Sequence, residues 1–296
     1  MKNHFQYAAL VLLTTFLMGI AFPIGKIGLD YAPPFFLMGI RYILAGGLLA
    51  LIVIRKPLPK GGRMWLQVSV IGLLQTTVVM SCVYYSMRWI SSSESAIITF
   101  TNPLLVIILG SLFAGSMYRT RVWIGVVIGF AGVFLTFGSH MDINQGTLIA
   151  FVGAICFAVS TLLIKRWGHA FQMEVLSAYQ MLAGGLGLLI LSLLSEHPSL
   201  VITPTSIEVL LCLVLLCSIV QVSVWFHLLR QGDPGRTSSF LFLAPLFGVL
   251  SSWLMLSEQL KWYVVLGGVF ICTGVFLVNW NGKGITSLYR KVSNIH

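Results

Sequence analysis

Arg41 has a residue type that fits its surroundings badly. It stands about seven residues, roughly 10 Å, into an apolar run, Phe35–Ile54. A charge at the centre of a membrane span costs about 2.5–3.5 kcal/mol on insertion scales. Two readings remain open. Either Arg41 faces a water-filled cavity, where it would hold a substrate carboxylate, or it is structural and snorkels outward or bonds to helix carbonyls.

Polar side chains recur inside other apolar runs. Gln75 and Thr76 lie in the third and Tyr179 with Gln180 in the seventh. Ser218, Gln221 and Trp225 share one face of the eighth. Amide side chains are costly in lipid and point into the bundle. Interhelical hydrogen bonds are their plain use; a polar and aromatic pocket for an amino acid or an aromatic solute is the rival. In the fourth run Ser95, Thr99 and Asn102 share a face just before Pro103. A proline frees a carbonyl one turn earlier, which Thr99 or Asn102 would satisfy unless they meet substrate. Pro245 is the counterpart in the ninth run, where Thr237, Leu241 and Ala244 have largely lost the polar stripe. This asymmetry leans a substrate on the first half. The candidate substrate contacts are therefore Arg41, Gln75, Thr99, Asn102, Tyr179, Gln180, Gln221 and Trp225. Lys26, Pro103 and Pro245 are candidates for gating or anchoring. Lys26 ends a stripe with Thr15, Gly19 and Phe22, whose use is packing or cavity lining.

Other chemistry is missing. No Asp or Glu lies deep in a run; Glu94 and Glu258 sit at run ends. Proton coupling needs a titratable group in the path. Coupling is therefore absent, or uses an end-of-run group, or is replaced by exchange. Cys82, Cys156, Cys212, Cys217 and Cys272 lie within apolar runs without metal-ligand spacing and read as core. No phosphate-binding glycine loop is present, and the loops offer no acid cluster for an enzyme. The expectation is no cofactor, no metal and no ATP-driven step. A membrane-embedded enzyme and a non-transporting sensor or assembly partner are the alternative functions.

These residues must be held by helices in lipid. The 296 residues are 57% hydrophobic and 9% charged, whereas a soluble surface needs roughly 25% charge. Ten apolar runs, the first Tyr7–Ile24 and the last Tyr263–Val278, are long enough for helical spans and lack the period-two alternation of barrel strands. The net charge of +10 sits in the loops, which argues against nucleic acid. With a cytoplasmic N-terminus, fourteen Lys and Arg fall inside and only Lys26, Arg88 and Lys261 outside. That bias places both termini in the cytoplasm of a bacterial inner-membrane protein.

The chain repeats itself at about 140 residues. Leu44-Ala45-Gly46-Gly47-Leu48 recurs as Leu182-Ala183-Gly184-Gly185-Leu186, and Gly132-Val133-Phe134-Leu135 as Gly274-Val275-Phe276-Leu277. Arg88 falls on Arg230, Pro103 on Pro245 and Gly125 on Gly267. Duplication predicts an all-α fold of ten transmembrane helices as two inverted five-helix repeats, 1–138 and 139–296. An odd number of spans per half inverts the second half, and the site then lies near the midplane between the halves. Gly125 with Gly129, and Gly268 with Cys272, predict close helix packing between halves or between two copies of a homodimer.

The sequence resembles the drug/metabolite transporter superfamily in its ten-helix EamA-type branch, over roughly residues 6 to 280. Gly19, Phe22 and Lys26, Arg41, Pro103 and Pro245, and Glu258 with Trp262, Gly267 and Gly274-Val275 carry the resemblance. The first half departs from it at Ser116, where a counterpart of Glu258 is expected. The resemblance implies export of amino acids, related metabolites or drugs by alternating access, with a small-molecule substrate and the lipid bilayer as the partners.

Overall fold

The structure is a computed structural model and describes residues 4–114, 118–136, 144–231, 240–259 and 262–279. Ser116, Thr237 and Lys261 lie outside the described residues. Ten apolar helical stretches follow one another, and no strand occurs among the described residues. They are α1 (His4–Gly28), α2 (Pro34–Ile52), α3 (Gly62–Ser86), α4 (Ser92–Phe113), α5 (Thr120–Thr136), α6 (Gln145–Trp167), α7 (Met173–Ser195), α8 (Pro204–Leu211, Cys212–Val220 and Gln221–Gln231), α9 (Leu243–Leu256) and α10 (Trp262–Asn279). Seven of them have the length and composition to cross a membrane, while α5, α9 and α10 are shorter.

Local chemistry sets the ends. Pro34 and Pro204 sit in the first turns of α2 and α8, where a missing N–H is harmless. The Asn144 side chain accepts from Thr147 N at 2.9 Å to start α6. Among the described residues, α3 and α8 contain π-helical turns, Leu73–Val78 and Cys212–Val220. Their ends show the wider spacing: Val79 N donates to Leu74 O, and Gln221 N to Leu216 O. These two helices are counterparts in the duplication. In α4 the helix breaks after Thr99 and resumes at Asn102.

The helices pair according to the repeat. α2 packs on α7 and α5 on α10; α3 packs on α6 and α7 as α8 packs on α1 and α2; α1 meets α9 as α6 meets α4. The two self-related pairs run antiparallel. Along α2, Gly39, Gly46 and the α7-contacting Ile43 meet Leu189, Leu182 and Gly185, so one number rises as the other falls. Likewise Gly125 meets Gly274 and Gly132 meets Gly267. Equivalent helices that run in opposite senses mean that the two halves are inverted. α1 and α9 instead advance together: Tyr7 meets Phe240 in the turn just before α9, and Phe16 meets Phe247 within it. The Gly125–Gly129 step packs on α10 and α4 of the same chain, so its close approach joins the halves.

Glycine is needed where backbones touch. A Cβ at Gly46 would lie 2.9 Å from Ala178 O and Leu182 N, whereas one at Gly47 would meet nothing within 4 Å. The neighbouring Leu44 and Leu48 are 44% and 41% exposed, which suits a face turned to lipid. Overpacking a tight contact costs about 1–3 kcal/mol. Gly46→Leu is expected to destabilise the detergent-solubilised protein by that order, read as a lowered thermal midpoint. Gly47→Leu, one residue away in the same repeated motif, is expected to leave it within error.

Candidate functional site

At one end of the bundle three glutamates close on helix N-termini, where unpaired N–H groups and the helix dipole favour an anion. Glu258 bridges from the end of α9 to the start of α4. Its Oε1 accepts from Ser92 N and Ser92 Oγ, both at 2.8 Å, and its Oε2 accepts from Ser93 N at 3.1 Å and Ser93 Oγ at 2.5 Å. Glu94 completes a capping box with Ser91 on the same helix. Glu196, at the end of α7, accepts from Phe35 N and Phe36 N of α2, each at 3.2 Å. At this end Lys26 Nζ also donates to Met87 O, tying α1 to the loop after α3. Outside this seal is a vestibule of about 420 Å³ whose lining includes Lys26, Asp30, Arg88 and Ser199.

One layer deeper lies Arg41, 4% exposed. Its Nε donates to Ser218 Oγ at 3.1 Å, Nη2 to Cys217 O at 3.1 Å, and Nη1 to Tyr84 Oη at 3.3 Å. The guanidinium also lies 5.0 Å from the centroid of the Tyr42 ring. Tyr84 Oη in turn donates to Ala21 O at 2.9 Å. Arg41 thus ties α2 to α3 and to the π segment of α8, and through Tyr84 to α1. Among the described residues no carboxylate pairs with it. A large cluster surrounds it, including the buried Phe22, Met38, Val83 and Leu213. The structural option for Arg41, bonding to a helix carbonyl, is the geometry found in this conformation.

The remaining candidates divide. Gln75 and Gln180 flank one crossing of α3 and α7. There a Cβ on Gly72 would lie 2.4 Å from Gln180 O, and one on Gly184 would lie 2.3 Å from Thr76 Cβ. Thr77 Oγ1 donates to Gly184 O at 2.8 Å in the same crossing. The Oε1 atoms of Gln75 and Gln180 are buried without a hydrogen-bond partner. Tyr179 packs edge-on against Trp65, with centroids 5.0 Å apart. Gln221 offers its backbone carbonyl to Thr14 Oγ1 of α1 at 3.2 Å, and Trp225 follows one turn later, half-buried. On α4, Thr99 Oγ1 bonds back to Ser95 O at 2.7 Å and Asn102 Oδ1 is buried without a partner. Thr101, not singled out by the sequence pattern, stands at the break before Pro103 and donates to Ile98 O at 2.6 Å. Pro245 is buried in α9, beside the close approach of Ala244 and Gly248 to Gly19 of α1. Ser218 leaves the face expected from an α period, because the π segment inserts an extra residue into the turn.

Inverted five-helix halves with polar side chains at their meeting faces define a membrane transporter in its architecture. The EamA-like transporter family model matches residues 6–138 and 144–280, and the chain belongs to that family. It is 29% identical to the uncharacterized transporter YvbV of Bacillus subtilis, over 93% of this chain and 92% of that protein. It is also 29% identical to an uncharacterized transporter of Archaeoglobus fulgidus, over 90% of this chain and 95% of the other. The uncharacterized inner membrane transporter YedA of Escherichia coli is 29% identical over 76% and 74% of the two chains. A solved crystal structure shares the fold with a TM-score of 0.67 at 17% identity, covering 96% of this chain and 99% of that one.

Hydrogen bonds to a charged group contribute about 1.5–3 kcal/mol. Glu258→Ala is expected to destabilise the protein by about that much in thermal unfolding, and Glu258→Gln by less. Glu208→Ala, exposed on the first turns of α8, is the control and is expected to be silent.

Proposed function

We propose that this protein is a secondary transporter that carries a small metabolite, such as an amino acid or a related compound, out of the bacterial cytoplasm by alternating access. The moving parts are the halves 1–138 and 139–296. Support comes chiefly from the antiparallel crossings of α2 with α7 and of α5 with α10. They relate the halves by inversion, so each half is able to take the conformation the other has left. The glutamate end faces outward and is shut, and both termini are cytoplasmic. Arg41 belongs to that seal, and the amides of Gln75, Gln180 and Asn102 belong to the path of the cargo.

The glutamates at the sealed end are engaged with backbone N–H groups. This favours exchange or uncoupled flux over a proton step routed through them. A membrane enzyme would alter its solute and a sensor would move none, so flux of unaltered solute separates the three readings.

Two measurements test this reading. Cells with and without the protein are compared across a metabolite panel for accumulation and for resistance to toxic analogues. Any solute found is then followed in proteoliposomes by counterflow. Arg41→Ala is expected to insert and fold yet to lose transport at least tenfold, because the outer seal is no longer held. Normal flux by that variant removes Arg41 from the cycle. For orientation, Ser199→Cys is expected to react with a membrane-impermeant maleimide added to intact cells, and Lys60→Cys only after the membrane is opened.

A further inference from the structure

The two π segments are equivalent by the duplication but are served differently. At the 142-residue spacing that relates Arg88 to Arg230, Gln75 corresponds to Cys217 and Thr76 to Ser218. In α8, Cys217 O and Ser218 Oγ both accept from the guanidinium of Arg41 on α2. In α3, the facing helix is α7. At the 138-residue spacing that relates Leu44 to Leu182, the position of Arg41 is held by Tyr179. Tyr179 has no cation to offer, and its ring lies against Trp65. Beside it Gln180 is 7% exposed, and the amide oxygens of Gln180 and Gln75 have no partner among the described residues.

A buried polar atom without a partner is a standing cost in a membrane span. π segments in turn gather at functional sites. Two separate observations therefore meet at one crossing. The symmetry says which group the segment accepts, and the amides say that acceptors are still unpaired. Building on the transporter reading, we infer that the α3–α7 crossing at Gln75 and Gln180 is the recognition site for a cationic nitrogen on the cargo, an ammonium or a guanidinium. The cargo supplies to α3 what Arg41 supplies to α8. The unpaired oxygens of Gln75 and Gln180 select for an N–H donor, and a carboxylate has no hydrogen to give them.

The test uses the purified full-length protein and defined probes. Arginine, agmatine and ethanolamine carry the donor; ethylene glycol is ethanolamine with the ammonium replaced by a hydroxyl, and succinate carries carboxylates alone. At least one of the three cations is expected to raise the thermal midpoint in a dose-dependent way. Ethylene glycol and succinate are expected to leave it unmoved. Gln75→Leu with Gln180→Leu is expected to abolish the shift. Without any probe, the same double variant is expected to melt above the parent, because two buried, unpaired amide oxygens have gone. A shift from no cation overturns the inference, as does an equal shift from ethylene glycol or succinate, or a double variant that melts below the parent. Counterflow keeps the two readings apart. Cation binding without flux of any probe or panel solute defeats the transporter reading alone. Flux of a panel solute that the double variant carries unchanged defeats the site alone.

Discussion

A guanidinium inside a lipid-spanning bundle must be satisfied by whatever the neighbouring helices can spare. Around Arg41 these are neutral oxygens: a serine hydroxyl, a tyrosine hydroxyl and a backbone carbonyl. The carbonyl, Cys217 O, belongs to a helix wound with an extra residue per turn. In hydrocarbon a backbone oxygen displaced from the regular ladder has no water to turn to. The irregular turn and the buried cation therefore satisfy one another. Removing either leaves a polar group stranded, and four helices lose their common tie.

The second constraint is the treatment of acid. Carboxylates at the sealed end meet helix N-termini, and two of these contacts span different helices: Glu258 from α9 to α4, and Glu196 from α7 to α2. Both bridge one half of the chain to the other. The charges that close this end are thus spent on main-chain donors of the opposite half, so the seal is at once a helix cap and a clasp. At the opposite end an ion pair, Lys56 with Glu174 at 3.3 Å, links the end of α2 to the start of α7. This pair is partly buried, with the Glu174 side chain 14% exposed, so each end carries a charged link between the halves.

Much of this was legible in the sequence because lipid leaves few choices. Ten apolar runs had to be helices, and an odd number per half had to invert the second. The Leu-Ala-Gly-Gly-Leu repeat marks the α2–α7 contact itself, although only the packing separates Gly46 from Gly47. Pro103 correctly signalled a disturbed ladder, but Thr99 bonds along its own helix, a common habit of that side chain, and Thr101 serves the break. The π segments carry no residue signature, so Ser218 could not be assigned to Arg41 from spacing. Glu258 was legible as an end-of-run acid. Its partners, Ser92 and Ser93, lie more than 160 positions away, beyond any local pattern. Tyr84 was missed because a tyrosine near a span end is ordinary there.

Gly39 and Gly46 of α2 find their partners on α7, and Gly125 and Gly132 of α5 find theirs on α10. During synthesis the first five spans must therefore enter the bilayer with bare backbone seams that only later spans can cover. Those seams are open to any small-faced helix nearby, including the same span of another nascent copy. The interval before α7 emerges is thus the moment of greatest exposure to mispairing, and it falls to the insertion machinery to bridge it.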